Sequence, residues 1–343
     1  MDNSISTSPP DDPPRFEAFD PRRALRDIAE YSRIDNLRGA WSIVSQWLVI
    51  AAAAATAIWL DHWAAYVMAA IVIASRQHAL AIIMHDQSHY RLFSNRRVAE
   101  WICDLTCAFP VGLSTSRYRR GHLAHHQHNG TAEDPDLQAM LSDPDWRWPK
   151  SGRECLRLFV FDVLGLHVGK FLKIFRAWTP MTEVFKLRGS QLTLEERVRF
   201  LIYLGVLVGV LTMTRGWAVY GVLWVLPSVT LLGAIFRLRA ISEHVGTPNE
   251  HELNATRHIV GTWWERLLIA PLNVNHHLEH HLFPAVPLYN LPKLRRRLLE
   301  EPRFRTESAT TRTYTGLRDG VIGELLLQPG KATHWSEPRW GAS

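Results

Sequence analysis

Residues 39–60, GAWSIVSQWLVIAAAAATAIWL, run between Arg38 and Asp61 without one charged side chain. As a helix rising ~1.5 Å per residue, a stretch of this length covers the ~30 Å hydrocarbon core of a bilayer. Only Asp61 and His62 separate it from a second apolar stretch, Trp63 to Met84, interrupted by Arg76, Gln77 and His78 near its far end. Two spans joined by two polar residues make a tight hairpin. The pattern returns later in the chain: Phe200 to Thr214 is uncharged, Arg215-Gly216 makes a turn, and Trp217 to Phe236 follows before Arg237. The first of this second pair is short, and reaches spanning length if Arg197 and Arg199 snorkel back to the interface. These runs predict an all-α integral membrane protein with four transmembrane helices in two hairpins, at about 39–60, 63–84, 198–214 and 217–237.

Charge sets the expected orientation, because Lys and Arg stay on the cytoplasmic side. The two hairpin turns hold one basic residue between them, Arg215, whereas Arg22, Arg23, Arg26, Arg33, Arg38, Arg91, Arg96, Arg97, Arg117, Arg119, Arg120, Arg237 and Arg239 all fall opposite. Both termini and the stretch from about 85 to 198 are therefore expected in the cytoplasm, as in a bacterial-type inner membrane. A large soluble protein would also bury apolar helices. It would have no reason to pair two runs of spanning length with charge on one side only. Two further segments, Arg153–Trp178 and Val98–Leu113, are apolar but too interrupted to span, and read as helices lying in the headgroup plane. Pro110 and Gly112 end the second of them.

The remaining composition narrows the function. The chain has 343 residues, 39 Lys and Arg against 33 Asp and Glu, and a formal net charge of +6. Its basic residues follow the membrane edge and form no separate domain, which disfavours nucleic-acid binding. Three cysteines, Cys103, Cys107 and Cys155, exclude a disulfide framework and contain no C-x-x-C pair for a thiolate zinc site. The first 20 residues are rich in Asp, Pro and Ser and lack the apolar core of a signal peptide. The expected organisation is an N-terminal segment 1–37, a membrane domain 38–300 and a C-terminal cytoplasmic tail 301–343.

The chemistry is carried by 17 histidines, most of them clustered. Three boxes stand out: His85-Asp-Gln-Ser-His89, His122-Leu-Ala-His125-His126, and His276-His277-Leu-Glu-His280-His281. Histidines three or four apart project from one helix face, about 5–6 Å apart at Cβ, so they can converge on one metal or a close pair. Imidazole suits iron, copper, zinc or nickel. Counting from His62, the second span leaves the bilayer near Met84 and delivers His85 at its cytoplasmic edge, while His244 lies two turns beyond Arg237, where the fourth span ends. Two membrane helices thus raise histidines to one level. Histidines 62, 78, 128, 167, 251, 258 and 334 are expected to be structural or incidental.

The pattern H-x-x-x-H, H-x-x-H-H, H-x-x-H-H, with Asn-His-His-Leu-Glu-His-His-Leu-Phe-Pro at 275–284 and Glu-Asp-Pro-Asp at 133–136, resembles the membrane fatty acid desaturase and hydroxylase superfamily over about residues 40–300. The resemblance implies a cytoplasmic helical cap carrying a di-iron site, two Fe ions held almost wholly by histidine, with O2 as co-substrate. Carried over by motif, the ligands are His85, His89, His122, His125, His126, His277, His280 and His281, and His244 resembles the extra ligand after the fourth span. His276 is surplus to the pattern and is expected to stand behind the ligands. Asp86, Glu243 and Glu279 lie beside or between these positions and could accept imidazole N–H bonds and fix tautomers, as could Asn273 and Asn275. For Glu279 a solvent-facing carboxylate is an equal reading.

Nine imidazoles exceed the four ligands of a closed zinc site and suit two metals with open positions. Zinc has no redox chemistry, whereas iron supports one-electron and O2 chemistry. The expected reaction is oxidation of an unactivated C–H bond of a fatty acyl chain. Desaturation to a cis alkene is favoured over hydroxylation or ketolation of an acyl lipid or isoprenoid. The acyl group could be carried on phospholipid, CoA or acyl carrier protein. The sequence holds neither the His-Pro-Gly-Gly of a fused cytochrome b5 nor a G-x-G-x-x-G, so electrons are expected from a separate donor such as ferredoxin or rubredoxin with its reductase. A membrane zinc-binding or transport protein is the rival from another class; it leaves unexplained why the histidines gather outside the spans.

Overall fold

The computed structural model describes residues 28–326 except residue 187. The expectations for Arg22, Arg23, Arg26, His334, residues 1–27 and residues 327–343 lie outside the described residues. The chain is mostly helical, and its only strands among the described residues, His258–Ile259 and Thr310–Thr311, pair in parallel.

Helix α1, Asn36–Leu60, starts where the Asp35 carboxylate accepts the backbone N–H groups of Leu37 and Arg38, and it stops where Asp61 turns left-handed. His62 then caps α2, Trp63–Ser88, by accepting from the Ala64 N–H. Two residues suffice for the reversal, as the sequence suggests. Helix α2 continues one turn beyond the expected end at Met84, so His85 is helical and His89 forms the cap. Helix α3, Arg96–Cys103, widens into a π-helical turn at Asp104–Ala108 and stops at Gly112, whose φ of +77° suits glycine. Helices α4, Thr115–His128, and α5, Pro135–Leu141, follow. The apolar segment 153–178 forms two helices, α6, Gly152–Val163, and α7, Val168–Phe175. Gly165 divides them at a φ of +72°, and Leu156, Leu164, Leu166 and Leu172 are left exposed.

Helix α8, Leu194–Met213, begins with a capping box between Thr193 and Glu196. Its last turn is followed by Arg215 at positive φ, and the chain returns as α9, Trp217–His244. This helix widens at Gly221–Val225 and breaks stride at Thr230, just after Pro227, which has no N–H to donate to the turn below. Then come α10, Trp263–Leu268; α11, His277–Leu282; and α12, Leu291–Leu298, with two short helices, Pro302–Glu307 and Val321–Leu325, after them.

Among the described residues, α1, α2 and α9 are long and apolar enough to cross a membrane. Helix α8 stands outside that set because its first two turns carry Glu195, Glu196, Arg197 and Arg199. Helix α2 is the central one. About two thirds of its apolar stretch is buried inside the protein, against about a fifth for α1 and α9. The outer faces of α1, α8 and α9 show Leu48, Ile58, Val206, Val210, Val222 and Leu226 to the surroundings, and Trp59, Trp63 and Trp217 gather near the hairpin turns. Such contiguous apolar surface with aromatic ends suits lipid.

Two arginines of the expected flank are turned into the protein. Helix α9 does not end at Arg237 but runs on to His244, so Arg237 is fully buried. It is paired in two places with Asp162 of α6, Nε to Oδ2 at 2.5 Å and Nη2 to Oδ1 at 3.0 Å, and stands over the ring of Trp146. Arg239 is likewise turned inward, its Nε 2.6 Å from Oε1 of Glu243. His167 donates to the same Asp162 at 2.6 Å, which makes it the structural histidine expected. These contacts bind α6 to the long apolar helix α9. Replacing Asp162 by Asn should leave the guanidinium uncompensated in the interior and cost about 3–5 kcal/mol. Thermal unfolding in detergent checks this, with the double variant Asp162→Leu/Arg237→Leu expected to recover most of the loss.

Candidate metal centre

Four segments distant in sequence deliver the histidine boxes to one place. The last turn of α2 supplies His85 and its cap His89, α4 supplies His122, His125 and His126, α9 ends on His244, and α11 supplies His277, His280 and His281. His122 and His126 are one turn apart on α4, with ring centroids 4.6 Å apart. Ring nitrogens then meet across elements. His122 Nε2 lies 2.9 Å from His89 Nε2, His126 Nε2 lies 3.1 Å from both His122 Nε2 and His280 Nε2, and His277 Nε2 lies 2.9 Å from His244 Nε2. Two groupings result. One holds His85, His89, His122, His126 and His280, whose potential ligand atoms all fall within 4.8 Å of one another; the other holds His125, His244 and His281, with His277 joined to His244 and Glu243. The stacked rings of His126 and His281, 4.2 Å between centroids, join the two.

Hydrogen bonding alone does not satisfy this arrangement. A neutral imidazole has one N–H and one lone pair. His122 Nε2 faces two other Nε2 atoms at once while its Nδ1 lies 3.3 Å from the Tyr118 hydroxyl. Both nitrogens of His85, Nδ1 of His280 and Nε2 of His281 are buried with no hydrogen-bond partner. Lone pairs brought together without protons to share between them are what metal cations require, and the two groupings fit a pair of them. Burial also keeps the rings neutral. It pushes His89 down to about 4 and His126 down to about 2, and holds His122, His277, His280 and His281 well below the ordinary imidazole range.

His125 is the exception. Burial acts to lower it, but Asp134, both of whose oxygens lie 2.9 Å from His125 Nδ1, draws it upward on balance. Accepting the Nδ1–H leaves Nε2 as a lone pair aimed at His244 and His281, whose rings lie 4.7 and 5.0 Å away. The same Asp134 caps α5 by accepting from Asp136 and Leu137, so the helix holds the carboxylate that holds the histidine. Sequence reasoning quoted the Glu-Asp-Pro-Asp stretch without giving Asp134 this role. The signal was present: Asp before Pro is a helix-cap signature a short loop away from the second box.

The expected supporting residues divide. Glu243 reaches the cluster, 3.4 Å from His277 Nδ1, while also bound to Arg239. Glu279 turns away from it, toward His258 Nδ1 at 3.3 Å, His276 at 3.7 Å and the guanidinium of Arg295. It is fully buried, and although burial opposes ionisation, His258 and Arg295 hold its carboxyl down at about 2. His276 therefore belongs to this second cluster rather than to the nine, as does His258, which was expected to be incidental. Asn273 donates to the Leu288 carbonyl and Asn275 to the Ile259 carbonyl, so both position backbone. Asp86 is buried with Oδ1 unpaired and meets no imidazole. Beside the histidines opens a cavity of about 1330 Å³, lined by Met84, Leu113, Trp146, Phe175, Trp178 and Phe236, by His85, His122 and His125, and by charged groups that include Asp134, Arg147, Arg239 and Glu243.

The sequence pattern of the fatty acid desaturase family matches residues 61–312, which take in every histidine of this cluster. The chain belongs to that family. It is an oxidoreductase of the fatty acid desaturase type and a membrane protein. The enzyme is similar to the dihydrorhizobitoxine desaturase of Bradyrhizobium elkanii, 25% identical over 303 residues, covering 86% of this chain and 85% of that one. It is also similar to the sphingolipid delta(4)-desaturase/C4-monooxygenase of Homo sapiens, 27% identical over 242 residues, 69% of this chain and 65% of the human one. The sphingolipid delta(4)-desaturase of Drosophila melanogaster is 27% identical over 243 residues, 68% and 64% respectively. The enzyme thus spans slightly less than two thirds of the length of those sphingolipid relatives. Nothing among the relatives supports the zinc-handling alternative.

Asp134→Asn keeps the capping oxygen for α5 and removes the charge behind His125. Metal retention is expected to weaken by about 10–100-fold, measured as iron per chain against increasing chelator, with helix content by circular dichroism unchanged.

Proposed function

We propose that this enzyme introduces a double bond into the acyl chain of a membrane lipid, using O2, two iron ions and electrons from a separate donor. The observation that carries the proposal is the meeting of nine imidazoles from four separate segments beside a cavity with aromatic walls. On this reading His85, His89, His122, His126 and His280 hold one iron, and His125, His244, His277 and His281 hold the other. Iron, when bound, supplies the O2 chemistry that oxidises an unactivated C–H bond.

The chain's own residues prepare that chemistry. Asp134 holds His125 in one tautomer, and Glu243 stands behind His277 in the same way. The aromatic walls formed by Trp146, Phe175, Trp178 and Phe236 exclude water and keep an acyl chain extended beside the ring nitrogens. Membership of a lipid-oxidising family and an apolar outer surface support entry of the substrate from the bilayer, with phospholipid, acyl-CoA and acyl carrier protein all compatible as carriers. The fourth span of this reading is α8, whose apolar part from Phe200 onward is exposed at Leu201, Ile202, Val206 and Val210. Its first turns reach the interface, where Arg199 meets Asp104 at 2.9 Å. The membrane domain is then 38–300, with cap, metals and both termini on the cytoplasmic side of a bacterial-type inner membrane. A ferredoxin or rubredoxin with its reductase fits as donor.

Hydroxylation is a second reading with one specific support: the printed name of the human relative joins a desaturase to a C4-monooxygenase. Both outcomes use the same site and differ in the fate of the first oxidised carbon. Lipid mass spectrometry of cells expressing the enzyme separates them, since a product two mass units lighter means desaturation and one sixteen heavier means hydroxylation. Absence of any oxidised lipid, with iron bound and a reducing system present, overturns both. His125→Ala and His280→Ala should each abolish product while the protein remains membrane-inserted, and His276→Tyr should cost far less. Metal analysis of the purified protein should return about two irons per chain, and zinc alone after growth with iron supplied would contradict the assignment.

A further inference from the structure

We propose that the substrate cavity is built for a chain bearing a neutral hydrogen-bonding oxygen, a hydroxyl first of all, and that His78 receives it. The inference rests on the reading above that an acyl chain occupies this cavity. His78 lies seven residues before His85 on α2, so it sits on nearly the same helix face and ~10 Å below it. It lines the cavity together with Ala81, Met84 and His85.

His78 is only 1% exposed, and neither its Nδ1 nor its Nε2 has a hydrogen-bond partner. The Ile269 carbonyl approaches the ring without completing a bond. Other buried histidines away from the cluster are satisfied: His167 has Asp162 and His258 has Glu279. Its neighbour Gln77 also has a partner, donating from Nε2 to the Trp224 carbonyl at 2.9 Å. An imidazole left unpaired in the interior is destabilising, and an apolar side chain of similar size would fill the same volume without that loss. His78 takes no part in any of the histidine groupings that could hold a metal. Folding and metal binding therefore leave it unexplained, and the cavity it lines is what remains for it to serve.

The chemistry of the pocket selects the ligand. An imidazole presents one N–H and one lone pair, which a hydroxyl answers with a lone pair and an O–H. Among the described residues two cations line this cavity, Arg239, engaged at Nε by the Glu243 carboxylate, and Arg147, which donates from Nε and Nη2 to the Leu141 carbonyl, and Asp134, Asp136 and Glu250 line it with them. Carboxylates outnumber cations among these residues, so an anionic head is not favoured over a neutral oxygen. Sites built to hydrogen-bond a substrate oxygen discriminate strongly against analogues that lack it, because the protein group is then left bare.

The test uses the iron-loaded protein in detergent and a competition between octadecanoic acid and the positional isomers of hydroxyoctadecanoic acid, read as bound ratios by native mass spectrometry. At least one isomer should bind about tenfold or more tightly than octadecanoic acid. His78→Leu should bring that ratio to about one, and His78→Asn, which keeps a donor and an acceptor, should retain most of it. Monodisperse elution and retained iron report that each variant is folded, and His78→Phe is read the same way should the leucine variant fail to fold. No preference among the isomers, or a preference that survives His78→Leu, overturns the proposal and leaves a bound water as the partner of His78. Failure of the underlying reading is seen separately, as the absence of oxidised lipid in cells expressing the unaltered enzyme whatever the bound ratios.

Discussion

The structure depends on a cost placed deliberately at one point: imidazole nitrogens are buried against each other with too few protons to go round. His122 Nε2 touches two other Nε2 atoms, and His126 Nε2 touches two more. Without a cation such a cluster is a source of repulsion between lone pairs in a low-dielectric setting, where unpaired polar groups are most destabilising. The surrounding helices must therefore be held in place by contacts that do not involve the cluster.

Most of those contacts are ionic, and they join the long apolar helices and the shorter ones around them. Arg119 of α4 donates to the carbonyls of Gln87 and Ser88 at the end of α2 and pairs with Glu100 of α3, which fixes the second box against the first. Asp162 and Arg237 tie α6 to α9, and Glu279 with Arg295 ties α11 to α12. Deeper, Arg76 of α2 meets Gln46 of α1 at 3.0 Å and the Leu267 carbonyl at the end of α10, so the cap segment is anchored to the spans themselves. Each pair joins separate helices, and each is largely shielded from water, where removal of one partner is costly. The histidines are thus presented by a frame whose rigidity is independent of what they bind.

This division explains what could be read from the chain alone. The boxes were legible because spacing on a helix determines which rings share a face, whatever the partners. The first hairpin was legible because length and charge determine a span. Arg237 and Arg239 were expected to face water at the flank because hydropathy sees only their charge. Their partners, Asp162 some 75 residues away and Glu243 on the next turn, turn them inward instead. Carboxylates beside the boxes in sequence were expected behind histidines in space, and Glu243 does reach His277, yet Glu279 projects from the opposite face of α11, and Asp134, which holds His125, comes from the cap of the next helix. Adjacency in sequence fails here because neighbours on a helix diverge by ~100°.

The distribution of those carboxylates makes the two halves of the cluster electrostatically unequal. His125 faces Asp134 and Asp136, and His277 faces Glu243, so negative charge stands behind the grouping of His125, His244, His277 and His281. The five-histidine grouping has no such support; its nearest charged neighbours include Arg91 and Arg119, which act with burial to hold His89 neutral. A cation bound by the four receives charge compensation through its ligands, whereas one bound by the five relies on ligand number alone. On the proposed division of the histidines, a fifth imidazole on the side without carboxylates would offset this difference. The inequality is built from residues of the frame, so it persists whichever lipid lies in the neighbouring cavity.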